Sequence, residues 1–158
     1  MKRFIQPILA FVTVLFLTAA LAGSALAAPD VPLNGSVDAV ETLTIDFPTM
    51  FVDTTGGGQA THLGRYTVTW EFTVNLLNGV GVGAAHFVAA NGDSLFTNSL
   101  GQGTPQETPN INIVVEQHTI TGGTGRFAGA TGSFTLTRVV DTNTGVTSGS
   151  FEGHIVLR

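Results

Sequence analysis

Tyr66-Thr67-Val68-Thr69-Trp70-Glu71-Phe72-Thr73-Val74 places a large apolar side chain at every second position, with short polar or acidic ones between. Such period-two alternation marks a strand with one buried and one solvated face. Similar runs lie on either side of it, at Val37–Ile45, Val80–Ala90, Ser94–Leu100, Ile111–Thr121, Gly132–Val140 and Val146–Leu157. Phe47–Val52 is a weaker run, because Pro48 demotes it to an edge or a bend. The punctuation between runs is turn chemistry. Asn78-Gly79 and Asn91-Gly92 suit tight hairpins, and Asp141-Thr142-Asn143-Thr144-Gly145 suits a longer one. Gly56-Gly57-Gly58 reads as a surface loop, and Gly101 to Pro109 as another. After the N-terminal segment no apolar repeat of helical period and length appears. The strands therefore form an antiparallel meander, which closes into a barrel or folds into a sandwich. Glycines inside the strand patterns (Gly81, Gly83, Gly132, Gly149, Gly153) suit the sharp coiling of a small closed barrel.

Residues 1–27 read as a secretory signal peptide. Lys2 and Arg3 form a positive start, Ile8 to Ala22 is apolar apart from Thr13 and Thr18, and Ala25-Leu26-Ala27 supplies the small-residue cleavage site. Cleavage removes 27 of 158 residues and leaves 131, read as an N-terminal extension (28–36) and one domain (37–158) with no membrane span. The expected location is secreted: extracellular, periplasmic or in the cell envelope. Of the six Lys and Arg residues only four arginines remain after Arg3, against eleven Asp and Glu. A body this acidic cannot neutralise a phosphate backbone, so no nucleic acid is expected as a partner. The same stretch has no lysine, which excludes a Walker-type phosphate loop and Schiff-base chemistry. The absence of cysteine excludes disulfides, thiolate nucleophiles and thiolate metal sites.

The most distinctive segment is Gly122-Gly123-Thr124-Gly125-Arg126-Phe127-Ala128-Gly129-Ala130-Thr131-Gly132. Its spacing is wrong for a dinucleotide fingerprint, and an alternating strand follows where a helix would be required. Gly122, Gly123, Gly125, Arg126, Phe127 and Gly129 therefore form a compact structural connection, with Phe127 tucked into one barrel end. This segment resembles the signature of the allene oxide cyclase barrel-like family and is similar to the glycine-rich stretch of plant dirigent proteins. Three further blocks resemble small secreted bacterial members: His62-Leu63-Gly64-Arg65-Tyr66-Thr67, Ala90-Asn91-Gly92-Asp93-Ser94-Leu95-Phe96 and Gly149-Ser150-Phe151-Glu152-Gly153-His154-Ile155. The resemblance implies an all-β fold, a small antiparallel eight-stranded β-barrel with an apolar cavity. It also implies action on apolar, oxygenated small molecules, and a homotrimer. Thr67, Thr69 and Thr73 offer the flat outer contact of such a trimer; read as a solvated face they imply a monomer instead.

Few residues carry chemistry. Tyr66, Val68, Trp70 and Phe72 are the ligand-lining candidates if the lumen is open. Glu116 and His118 are two apart on one strand, and Glu152 and His154 repeat the arrangement, so each pair is an acid–base candidate. Ile111, Ile113 and Val115 on the opposite face make an exposed location the expected one for Glu116 and His118. Arg65 and Arg126 are expected to pair with Asp93 or a nearby carboxylate. No H-x-H or H-E-x-x-H pattern exists, so neither a metal nor a cofactor is expected. These residues favour a barrel that binds a small apolar molecule. An isomerase or cyclase, or a structural envelope protein with a filled lumen, stands beside it. A buried ionisable group facing the lumen would favour the enzyme.

Overall fold

The structure, a computed structural model, describes residues 28–158. The expected signal peptide lies outside the described residues. Eight strands follow one another: β1 (Asp30–Asp46), β2 (Thr49–Ala60), β3 (Gly64–Asn75), β4 (Val80–Ala89), β5 (Ser94–Pro105), β6 (Ile111–Gly123), β7 (Thr131–Asp141) and β8 (Val146–Val156). A single 3-10 turn, Gly125–Phe127, interrupts the run between β6 and β7. Each strand pairs antiparallel with the next, and β8 returns to β1 in the register Val31↔Ile155 to Val40↔Val146. Closure leaves no sheet edge, so every ladder is satisfied without a disulfide. Among the described residues no helix is long and apolar enough to cross a membrane.

Asn78-Gly79 and Asn91-Gly92 form the expected hairpin turns, with φ of +71° at Gly79 and +87° at Gly92. Three boundaries differ from the sequence reading. Asp30 to Ser36 belong to β1 and pair with β8, so they are barrel wall rather than an extension. Gly56-Gly57-Gly58 lies inside β2, paired with both β1 and β3. The close approach of those neighbours explains the glycines: a Cβ at Gly58 would fall on the Ser36 carbonyl oxygen. β5 continues to Pro105, through what reads as a loop, because its glycines stay in the ladder with β6.

The lumen has two zones. One end is filled. There Phe134 and Phe151 pack with ring centroids 4.8 Å apart, Tyr66 and Phe87 at 5.5 Å, with Leu33, Leu95 and Ile155 fully buried around them. Phe127 closes this end from the glycine-rich connection at 0% exposure, as its sequence predicts. Tyr66 donates its phenol O–H to the Ser36 carbonyl at 2.7 Å. Toward the other end the inward positions of β4 and β5 are Gly81, Gly101 and Gly103. Opposite Leu43, Met50, Phe72 and Val74 these glycines supply no side chain, and a cavity of about 410 Å³ remains open at the barrel mouth.

Candidate functional site

The floor of that cavity is polar. Arg138 lies in the inward phase of β7, with Leu136 and Val140 on either side of it along the strand. Its Nε and Nη2 both donate to Glu116 Oε1, at 2.9 and 2.8 Å. Nη1 donates to Glu41 Oε1 and, at 3.1 Å, to the Thr147 hydroxyl, which itself donates to the Val139 carbonyl at 2.9 Å. The guanidinium also stands over the Trp70 ring, 5.5 Å from its centroid. Two carboxylates therefore share one buried cation.

Glu116 and His118 are brought together, as their spacing indicates, with His118 Nε2 3.2 Å from Glu116 Oε2. Their expected exposure is corrected: both are 1% exposed and face the lumen. The apolar residues opposite them, Ile113 and Val115, face outward instead. Arg138 supplies the physical reason, since an ion pair and further hydrogen bonds offset the desolvation of Glu116. His118 is held on its other edge by the Thr97 hydroxyl, 2.9 Å from Nδ1, and stacks on Phe134 at 4.6 Å. Thr97 and Glu116 thus hold both ring nitrogens of His118 and fix the plane of the imidazole.

The two glutamates are driven apart electrostatically. Burial pushes the Glu41 carboxyl above its ordinary range, and Arg138 offsets this only in part. Burial acts on Glu116 in the same direction, but the His118 hydrogen bond and the Arg138 charge outweigh it and hold the carboxyl below the usual range. A pair of carboxyls with separated affinities for a proton can divide acid and base roles. Glu41 is the carboxyl whose affinity for a proton is raised, and it lines the cavity with Glu116 and Arg138.

Tyr66, Val68, Trp70 and Phe72 all point inward and are buried. Phe72 lines the cavity, whereas Tyr66, Val68 and Trp70 lie in the buried core, Trp70 beside Arg138. Buried near the floor without hydrogen-bond partners are Trp70 Nε1, Thr54 Oγ1 and Ser99 Oγ; Thr54 is close enough to Glu41 to favour its ionised form slightly. Glu152 and His154 are exposed on the outside of β8, so closure does not bring them to the lumen. Among the described residues no group of three or more His, Asp or Glu is arranged to hold a metal ion. Arg126 does meet Asp93, through its backbone N–H at 3.2 Å and its Nε at 3.9 Å. Sequence reasoning missed Glu41 and Arg138. Their signal was phase: each occupies the inward register of an otherwise apolar strand face.

No family model matches this chain, and no curated protein matches it. Among solved structures it is similar to a pterocarpan synthase dirigent protein. The two share 11% sequence identity with a TM-score of 0.60, over 91% of this chain and the whole of that one. At that identity the likeness concerns architecture, and the chain is a dirigent-like eight-stranded barrel in fold.

Proposed function

We propose that the lumen takes up one small, largely apolar molecule bearing an oxygen function, and that the cavity floor rearranges it by proton transfer, as an isomerase or cyclase would. The observation that carries this reading is Glu41, a buried carboxyl on the cavity floor beside the Arg138–Glu116 ion pair, with its affinity for a proton raised by burial. A cavity of about 410 Å³ is of the size that encloses small ligands. Apolar walls hold the body of the molecule, and the Glu41 O–H donates to its oxygen. As a carbon–oxygen bond to that oxygen opens, the proton moves from Glu41 to the oxygen and the bonding pair stays on it. The proton returns to the Glu41 carboxylate as the C=O of the rearranged product forms, so there is no net gain or loss. The dirigent-like fold supports action on a small molecule, and the resemblance to allene oxide cyclase barrels supports an apolar, oxygenated one.

A carrier without chemistry is the second reading. It is favoured by the mutual satisfaction of Arg138 and Glu116, which leaves less of the floor free to act. Incubation with fatty-acid epoxides, terpenoids and phenolics separates the two. Conversion that is lost in Glu41→Gln while binding persists supports the enzyme; binding without conversion of any probe supports the carrier.

The same proposal includes export, with a mature N-terminus at Ala28, in a small secreted bacterial type of this barrel. It also includes a homotrimer, with Leu100, Ile113, Val115 and Val139 exposed on the outer face of β5–β7 as the contact, in place of the Thr67–Thr73 face. Intact Met1–Ala27 on protein recovered from the envelope or medium would refute export.

A further inference from the structure

The cavity opens between apolar turn tips. Phe47 in the β1–β2 turn and Leu77 in the β3–β4 turn are each 71% exposed, and Ile45 is 63% exposed where β1 leaves the barrel wall. The two turns are tied together, since the Leu76 N–H donates to the Pro48 carbonyl at 2.8 Å. Leu76 and Leu77 also line the cavity, so the exposed apolar surface continues without a break into its wall. Water gains nothing from such tips, and folding does not use them.

From this we infer that the mouth of the barrel docks on a neutral lipid surface, with Phe47 and Leu77 inserted among the acyl chains and the cavity opening onto the apolar phase. Continuity between rim and cavity identifies the occupant: an apolar ligand partitions into lipid, and this placement lets it enter without crossing water. Charge agrees. The arginines exposed among the described residues, Arg65, Arg126 and Arg158, all sit at the filled end, while the mouth end carries Asp46, Glu107 and Asp141. Anionic headgroups would repel that end, so a zwitterionic surface is the one that fits. A second copy fits less well. A few convex side chains cover on the order of a few hundred Å², short of the roughly 800 Å² per partner of a stable complex. Insertion of an aromatic and aliphatic tip into the interface needs no such area.

The inference rests on the lumen reading for its purpose, but vesicle binding tests the rim alone. The experiment is flotation of the full mature chain with phosphatidylcholine vesicles, repeated with phosphatidylglycerol added. The wild type is expected to float with phosphatidylcholine and less with the anionic mixture. The double variant I45S/F47S is expected to lose about tenfold or more in vesicle affinity. Its melting temperature and its Trp70 response to a water-soluble phenolic should stay unchanged, because Ile45 and Phe47 are exposed and neither lines the cavity. No flotation of the wild type, flotation undiminished in the variant, or a dependence on anionic lipid would overturn the proposal. So would light scattering in which the tips pair copies in solution and the variant abolishes that pairing. Loss of the Trp70 response with flotation intact would strike the lumen reading and leave the rim standing.

Discussion

Arg138 is the residue on which the interior depends. Replacing it by methionine leaves Glu116 buried without a counter-charge and Glu41 without its hydrogen-bond donor, and the expected loss is about 3–5 kcal/mol of stability at neutral pH. Urea unfolding should show that loss shrinking as pH falls into the carboxylate range, where both acids protonate. The two glutamates differ in sign. The folded-state affinity of Glu116 for a proton is lowered, so it contributes stability above the ordinary carboxylate range that is lost on acidification. That of Glu41 is raised, so its contribution is present at acid pH and lost as pH rises through its elevated value. Glu41→Gln should therefore flatten the alkaline limb of the stability profile, and Glu116→Gln the acid limb. An unchanged profile in both variants would contradict the assignment. At this scale the sequence was only partly legible. The spacing of Glu116 and His118 placed them together on one face. Which face could not be read, because the outward residues Ile113 and Val115 are themselves apolar and the partner of Glu116 lies on another strand, fixed only by closure.

The strands explain why there is a cavity at all. Alternation in β3 fixed its inward face correctly, and the Asn-Gly turns fixed the hairpins on either side of β4. Glycines were harder to read, since the same residue serves turns, close approaches and empty space. In β2 they admit neighbouring backbone; in β4 Gly81 and Gly83 make room for the Phe72 ring; in β5 Gly103 leaves the mouth of the lumen open. Gly103 faces the cavity, and a Cβ there would meet only the Gly79 carbonyl oxygen, at 3.9 Å. Gly103→Leu is thus expected to fill the cavity and weaken ligand binding about tenfold or more, with a melting temperature at or above that of the wild type. Phe127→Ala acts at the opposite end: removal of a ring at 0% exposure should cost about 3–5 kcal/mol without touching the cavity. Thermal melts of the two variants, set beside their ligand titrations, check this division of the barrel into a filled end and an open one.

The whole molecule is polarised along its axis. Its filled end carries the exposed arginines and the glycine-rich connection, and its open end carries the apolar rim. In the mouth half the outer wall is aliphatic as well, with Val82, Leu100, Val115 and Val139 exposed, which is why apolar alternation alone could not distinguish inside from outside there. Light scattering at micromolar concentration should give three chain masses if that wall is a contact between copies; a monomer mass would reject the homotrimer. On the proposed function, the open half of the lumen takes a small apolar ligand onto the Glu41–Arg138 floor. Trp70, the single tryptophan, is 3% exposed and lies under the Arg138 guanidinium, so it reports on that floor. Its emission is predicted to be blue in the folded protein. Titration with fatty acids, terpenoids and phenolics should then change it saturably for at least one class, at one ligand per barrel, and far less in Gly103→Leu. A water-like emission maximum, no response to any class, or the same response in wild type and Gly103→Leu would contradict the claim.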